Sequence, residues 1–225
     1  PRGYEIIKHD PYIARIFIQD EDQVPNHELS AYWKAIEKRY DKFVNLSGSV
    51  EESLLAIPGN VNHRWPHAMR HRMMNVNYME AQHEIAEIKA PIRPYFYPTT
   101  EEREWARNER SKIQGQLIIW SVNGSAVHKV WPHYVEGINR VVAEFPDVTV
   151  VMVGNESSAM LAGAVEKHYR VLNKCDAWNI RESMAMCEVA DLVIGPETGL
   201  LNAAGHFLVP KVVLLSHSSQ ENLTK

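Results

Sequence analysis

The second half of the chain alternates short apolar runs with segments whose apolar positions recur at helical spacing. The apolar runs predict buried strands at residues 117–122, 148–153, 192–195 and 211–215. The helical spacing predicts helices at residues 132–145, 160–169, 179–187 and 200–207, the third opened by an Asn179–Glu182 capping box. Apolar strands separated by helices are typical of a parallel sheet that is covered on both faces. The second half is therefore predicted to be a Rossmann-like unit.

The first half of the chain is less regular and is predicted to mix strands with helices. Strands are predicted at residues 13–18, 42–46 and 93–97, and helices at 26–40 (with Asn26 as N-cap), 65–74 and 78–88. Thr99 and Glu102 have capping-box spacing for a charged helix over 101–110, which we interpret as a mostly solvated connector. We divide the chain into a partial N-terminal α/β domain with this connector, residues 1–110, and a C-terminal Rossmann-like domain, residues 111–225.

Composition, charge and cysteine content limit the classes of protein to which the chain could belong. Hydrophobic residues make up 45% of the chain and charged residues 23%, as in ordinary globular proteins. A net charge of −4 and a pI near 6.3 argue against a general nucleic-acid binder. Cys175 and Cys187 form neither a disulfide framework nor a thiolate zinc pattern and suggest a reducing compartment, which predicts a cytoplasmic protein. The chain starts at Pro1 without an initiator Met, so we expect a piece of a longer protein.

The first candidate binding segment follows the strand predicted at 117–122. Ligands of open parallel sheets bind at the carboxyl ends of strands. Here Asn123, Gly124 and Ser125 are followed by Lys129, and free backbone N–H groups with a lysine ammonium suit a diphosphate. An ordinary connecting loop with a solvated Lys129 stays open as the alternative, because no P-loop or GxGxxG pattern is present. The same absence argues against a dinucleotide oxidoreductase.

The second candidate segment follows the strand predicted at 192–195. Thr198 can cap the next helix, and Gly199 lets a ligand approach the backbone closely. Glu197 in the same loop can accept hydrogen bonds from sugar hydroxyls. The alternative is a capped helix in which Glu197 only favours the helix dipole.

Together these segments resemble glycosyltransferase family 9, the ADP-heptose:lipopolysaccharide heptosyltransferases and their relatives. S-A-V-H-K-V-W-P at 125–132 is similar to the family's G-A-S/T-x-x-K-x-W-P segment. A-D-L-V-I-G-P-E-T-G-L-L-N at 190–202 is similar to the region of its later D-T-G-x-x-H segment. A looser similarity links residues 40–55 to the Y-D-x-x-I-D-L-Q-G…S-A-L-L stretch of the acceptor-side domain.

The resemblance implies a GT-B architecture, with two facing Rossmann-like domains around a cleft and the first domain truncated here. It implies an inverting, metal-independent transfer of a sugar, heptose by family precedent, from an ADP-linked donor to a glycan or lipopolysaccharide-type acceptor, without a cofactor. Ser125 and Lys129 would hold the donor diphosphate, and Thr198 and Gly199 would bind it through backbone and hydroxyl groups. Glu197 would contact the donor sugar or its phosphate surroundings.

Several positions fit the family pattern less well. Glu156 stands where a ribose-binding acid occurs, although an exposed acid after a strand is the simpler interpretation. Asn202 replaces the motif's His, and Glu197 is one methylene longer than the usual Asp. The family's catalytic Asp follows its first strand, so the general base is expected upstream of Pro1. Glu51 or Glu52 is the alternative base, but capping of the next helix, where the dipole favours acids, explains these residues better.

Three further hypotheses come from residues outside the two motifs. His63, His67 and His71 recur at four-residue spacing, but no nearby carboxylate or HExxH pattern completes a zinc site, so a basic, solvated face fits better. The family resemblance adds a third possibility, in which this face meets an anionic acceptor or a membrane surface. Trp178 is a candidate to stack on the nucleotide base. A nucleotide-sugar epimerase and a non-catalytic nucleotide-sugar-binding module stay open as alternative functions.

Overall fold

A computed structural model describes residues 2–19, 23–25, 27–46, 61–73, 75–89, 92–216 and 220. The chain divides into two compact units. The first consists of Pro1–Ile16 with Pro94–His217, and the second of Phe17–Arg93 with Ser218–Lys225. In the described part of the chain, no helix is both long enough and apolar enough to cross a membrane.

The first unit is built on a five-stranded parallel sheet with the strand order β3-β2-β1-β4-β5. Its strands are β1 Gln116–Ser121, β2 Val148–Val153, β3 Val171–Asn173, β4 Leu192–Gly195 and β5 Lys211–Val213. Its helices are α1 Arg2–Ile7, α5 Thr100–Ser111, α6 Tyr134–Glu144, α7 Glu156–Ala162, α8 Ile180–Met186 and α9 Gly199–His206, with 3-10 turns at Val127–Lys129 and Cys187–Val189. The α/β class and the parallel sheet predicted from the sequence are confirmed.

Helices cover both faces of the sheet, which explains why its central strands are apolar without alternation. Leu117 and Ile119 of β1 are fully buried in a core that includes residues of α5, α8 and α9. Ile118 and Trp120 point to the opposite core, which holds Ile138 of α6. Each fully buried Leu or Ile contributes about 1.5–3 kcal/mol relative to exposure. Strand β1 is therefore fixed between two layers of helices.

The predicted capping boxes form at both sites. The Thr99 hydroxyl accepts from the Glu102 N–H, and the Glu102 carboxylate accepts from the Thr99 N–H. Asn179 and Glu182 make the same reciprocal pair at the start of α8. Helix α7 is opened by Asn155, whose side chain accepts from the N–H of Ser158. The first residue of each of these helices is thus determined locally, by a polar side chain that accepts from a backbone N–H three residues later.

One prediction about the first unit is wrong: the helix expected over 160–169 begins at Glu156 and ends at Ala162, and the short strand β3 after it was not predicted. Helix α5 is exposed or half-exposed at all its residues except Ala106, which is 1% exposed, so its mostly solvated character is as predicted. Its Trp105 packs edge-to-face on Trp178 at 5.3 Å between ring centroids. Helix α5 therefore also packs against α8.

The second unit is helical over its described residues, with α2 Leu29–Glu37, α3 His67–Met73, α4 Tyr78–Ile85 and a 3-10 turn at Val61–Arg64. Helix α4 starts at Asn77, whose buried side chain accepts from the N–H groups of Met79 and Glu80. The proposed cap Asn26 lies outside the described residues, and α2 begins at Leu29.

The strands predicted in the first half of the chain are wrong where the structure describes them. Residues 13–18, 42–46 and 93–97 have neither helix nor strand. An apolar run forms a strand only where another strand pairs with it, and none of these runs has a paired neighbour among the residues that the structure describes. A second Rossmann-like domain therefore stays a prediction.

Candidate functional site

A cleft of about 750 Å³ lies within the first unit, at the carboxyl ends of β1, β2 and β4. This is where ligands of open parallel sheets bind. Its polar lining includes residues of the loops after β1 to β4: Asn123, Gly124, Ser125, Asn155, Asp176, Glu197 and Thr198. Its apolar lining includes Ile6, Trp178, Ile180, Met184 and Leu200. The cleft is therefore lined by both polar and apolar groups.

Gly195 allows the two sequence motifs to meet in this cleft. A Cβ atom at residue 195 would lie 2.7 Å from the Cβ of Ser121 and 3.2 Å from its carbonyl oxygen. Only a glycine therefore lets the end of β4 pack this closely on the end of β1. As a result Ser125, after β1, and Thr198, after β4, line one cavity.

Lys129 joins the two motif loops. Its side chain packs over Gly124, where a Cβ would lie 2.6 Å from the Cδ of Lys129. Its Nζ donates to the carbonyl oxygen of Glu197 at 3.3 Å. The Lys129 ammonium is thus held beside the β4 loop, next to the cleft.

The carboxylate of Glu197 is held by the loop after β5. Its Oε1 accepts from the N–H of Ser216 at 2.9 Å, and its Oε2 accepts from the Ser216 hydroxyl at 3.0 Å. Burial opposes ionisation, but the Ser216 N–H, the backbone of Glu197, the Ser216 hydroxyl and the Lys129 charge together hold the pKa of Glu197 below its ordinary value. Glu197 is therefore an anion that lines the cleft.

Thr198 and Gly199 lie at the start of α9. Thr198 is the N-cap residue by position, but its hydroxyl makes no capping hydrogen bond, so the predicted side-chain cap is wrong. Among the described residues, the buried Oγ1 of Thr198 has no hydrogen-bond partner. The first N–H groups of a helix also lack intrahelical acceptors. The helix N–H groups at this end of the cleft are therefore the groups that an anionic ligand could use.

A polar network that the sequence analysis missed lies at the ends of β1 and β2. The hydroxyl of Ser158, which is fully buried, donates to Asn123 Oδ1 at 2.7 Å. Asn155 accepts from the same serine, and Asn123 donates to the hydroxyl of Ser157 at 3.0 Å. An Asn two residues after a strand and three before a Ser is an N-cap pattern that could have signalled the contact.

The remaining candidates are dispersed. Glu156 is exposed on α7 and does not line the cleft, and Asn202 is exposed on α9 and does not line it either. Trp178 lines the cleft but is only 7% exposed. Glu51 and Glu52 lie outside the described residues. The ligand roles of Ser125, Lys129, Glu197, Thr198 and Gly199 stay predictions.

The histidines of the second unit give no metal centre in the described structure. His67 is on α3, and His63 lies in the preceding 3-10 turn, where its carbonyl oxygen accepts from Arg70. The side chain of His71 is outside what the structure describes. Within the described residues, no three His, Cys, Asp or Glu side chains are grouped as metal ligands.

The fold is similar to that of solved glycosyltransferases. The ADP-heptose LPS heptosyltransferase II of E. coli is 17% identical with a TM-score of 0.50, covering 61% of this chain and 44% of that one. A family 9 glycosyltransferase of Veillonella parvula DSM 2008 is 16% identical with a TM-score of 0.52, and the match covers 64% of this chain and 44% of that one. No protein-family model and no curated protein sequence matches the chain. The resemblance to family 9 is therefore confirmed at the level of the fold, and the chain spans less than half of either structure.

Proposed function

We propose that the first unit binds a nucleoside-diphospho sugar and that the chain is part of a glycosyltransferase. One observation carries this proposal: the cleft brings both family-like segments together, with Lys129 held beside the loop of Glu197 and Thr198. The similarity in fold to two glycosyltransferases supports it.

The chemistry of the cleft suits such a donor. A diphosphate placed beside Ser125 and the start of α9 would meet a hydroxyl and helix N–H groups of the lining. The Lys129 ammonium does not line the cleft, but it lies beside the Glu197 carbonyl and would add a positive charge next to the diphosphate. The sugar would then lie beside Glu197, whose carboxylate accepts hydrogen bonds from hydroxyls. The nucleobase would lie against the apolar residues of the lining, near Trp178 and Met184. One ligand of this class thus uses the charged, the polar and the apolar parts of the lining.

The finer assignment extends the family resemblance. We propose a heptose-like sugar from an ADP-linked donor, an acceptor of the glycan or lipopolysaccharide type, and an inverting transfer that needs no metal or cofactor. An inverting transfer needs a general base to take the acceptor's proton. We propose that the acceptor-side domain supplies it. We propose that the reaction takes place in the cytoplasm, with peripheral contact at the inner face of the membrane.

Loss of the Lys129 ammonium is expected to weaken nucleotide binding. Calorimetric titration with ADP, UDP and GDP should reveal saturable binding of one of them. Lys129→Ala should weaken that binding by about tenfold to a hundredfold, since a charge-assisted contact contributes about 1.5–3 kcal/mol. Lys167→Ala, which removes an exposed lysine that does not line the cleft, is the matched control. No binding by a folded wild-type chain, or equal loss in both variants, would contradict the proposal.

Release of nucleoside diphosphate separates transfer from the alternatives. A glycosyltransferase releases it from the donor only when acceptor is present. An epimerase changes the sugar without acceptor and without release, and a binding module does neither. The assay uses the chain together with whatever acceptor-side domain accompanies it in the full-length protein. Acceptor-independent conversion of the donor would favour the epimerase.

A further inference from the structure

The loops that follow β4 and β5 run side by side at the carboxyl edge of the sheet. Strands β4 and β5 are parallel neighbours, with Gly195 paired to Val213. The Leu214 N–H extends the ladder by donating to the Gly195 carbonyl at 2.8 Å. Glu197 lies two residues beyond this pair and Ser216 three residues beyond it. Strand pairing therefore brings these two residues together, although they are 19 positions apart.

Ser216 engages both oxygens of the Glu197 carboxylate. The Ser216 N–H donates to Oε1 at 2.9 Å, and its hydroxyl lies 3.2 Å from Oε1 and 3.0 Å from Oε2. A carboxylate has about four lone-pair directions, and the N–H and O–H groups of Ser216 supply only two hydrogens. The carboxylate can thus be held in one orientation and still accept further hydrogen bonds. Glu197 lines the cleft, whereas Ser216 does not.

We propose that Ser216 is a positioning residue that fixes the Glu197 carboxylate for recognition of the donor sugar. The inference rests on the proposed function, because it assigns the orientation of one residue in that cleft. The methylene that distinguishes Glu197 from an aspartate lengthens its reach toward the loop after β5. The carboxylate held by Ser216 then selects sugars with hydroxyl groups near the diphosphate end of the donor. Ser216 acts through Glu197 and does not itself touch the ligand.

The inference is tested by comparing free and sugar-linked nucleotides. The probes are ADP with ADP-glucose, UDP with UDP-glucose, and GDP with GDP-mannose, each titrated by calorimetry. For the pair that the wild type binds, Ser216→Ala should weaken binding of the sugar nucleotide by about threefold to tenfold, the usual effect of one lost hydrogen bond. Binding of the free diphosphate should stay unchanged. Ser216→Thr, which keeps the hydroxyl, should restore wild-type binding.

A matched control and a second readout separate positioning from general damage. Ser111→Ala removes an exposed hydroxyl that bonds the carbonyl of Asn108 away from the cleft, and it should change neither affinity. The carboxyl carbon of Glu197, assigned with Glu197→Gln, can be titrated by NMR without any ligand. Ser216→Ala should raise the pKa of Glu197, because one donor to its ionised form is lost. Ser216→Thr, which keeps the hydroxyl, should leave the pKa of Glu197 unchanged.

The outcomes distinguish this inference from the proposed function. A wild type that binds sugar nucleotides, with Ser216→Ala indistinguishable from it in both affinities, would overturn the positioning role alone. Equal weakening of the free and the sugar-linked nucleotide would also overturn it, since the effect would then not involve the sugar. A folded wild type that binds no nucleotide would overturn the proposed function and this inference with it.

Discussion

Replacing Arg181 with methionine should lower the free energy of unfolding by about 3–5 kcal/mol, the usual cost of removing one partner from a buried ion pair. Arg181 is 3% exposed, and its guanidinium pairs with the carboxylate of Glu102 through two nitrogens. It also donates to the carbonyl oxygens of Ile6 and Tyr97, each at 2.7 Å. The variant would leave a partly buried carboxylate and two carbonyl groups without these donors. Chemical denaturation followed by circular dichroism measures the loss.

Two comparisons isolate the contribution of the buried Arg181–Glu102 ion pair to stability. Arg140→Ala removes an arginine whose ion pair with Glu144 is exposed on α6, and it should change stability by less than about 0.5 kcal/mol. The double variant Arg181→Met with Glu102→Gln should be more stable than Arg181→Met alone, because no charge is then left unpaired and Gln still completes the capping box. If Arg181→Met were as mild as Arg140→Ala, the ion pair would be dispensable to the fold.

The same pair predicts a dependence of stability on pH. Burial opposes ionisation of Glu102, but Arg181 and the Thr99 N–H outweigh it and lower the pKa of Glu102 below its ordinary value of 4.5. A lowered carboxyl pKa gives stability that is present above pH 4.5 and is lost as the pH falls through the folded-state pKa. Wild-type stability should therefore fall on acidification in that window. Arg181→Met should show a weaker fall there, since the favourable interaction is already gone.

Gly115→Ala should be the second strongly destabilising change, by about 2–5 kcal/mol. Gly115 has a φ of 71°, where a Cβ costs about 1–2 kcal/mol. That Cβ would also lie 2.0 Å from the carbonyl oxygen of Asp147, the atom that accepts from the Gln116 N–H at the start of β1. Relief of this overlap must move backbone at the entry to the central strand, which adds about 1–3 kcal/mol. Thermal unfolding measures the result.

Gly3→Ala is the matched control for this substitution. A Cβ at Gly3, in α1, would meet no atom within 4 Å. Alanine also favours a helix over glycine by about 0.5–1 kcal/mol, so Gly3→Ala should leave stability unchanged or raise it slightly. Equal effects at both glycines would mean that the conformation of residue 115 is not needed for the fold.

The sequence predicted most of the sheet because the signal for its strands is local. The apolar runs at 117–122 and 148–153 became β1 and β2 because a strand between two helix layers needs apolar side chains on both faces. Strand β3 escaped prediction because Val171–Asn173 is three residues long and only partly buried. The run at 13–18 is as apolar as the run at 117–122, yet within the described part of the chain it has no paired neighbour and forms no strand. A strand depends on its partner as well as on its own residues.

The candidate site was predicted in part for the same reason. The two motif segments were identified from small residues, a lysine and a capping position that follow strands directly. The sequence could not reveal that the Thr198 hydroxyl would form no capping hydrogen bond. Nor could it reveal that the Ser158 hydroxyl would donate a hydrogen bond to Asn123. These contacts depend on how β1, β2 and β4 pack side by side.

By itself, the sequence determined the alternation of strands and helices, the capping boxes and the two segments that could bind a diphosphate. These properties follow from periodicity and from hydrogen bonds within four residues. The tertiary structure decided that Gly195 packs against Ser121, that Ser216 holds Glu197 and that Arg181 pairs with Glu102, 79 positions away. Such contacts form only when the strands have paired, because the strand order in the sheet determines which loops are neighbours. Short-range sequence patterns do not determine that strand order.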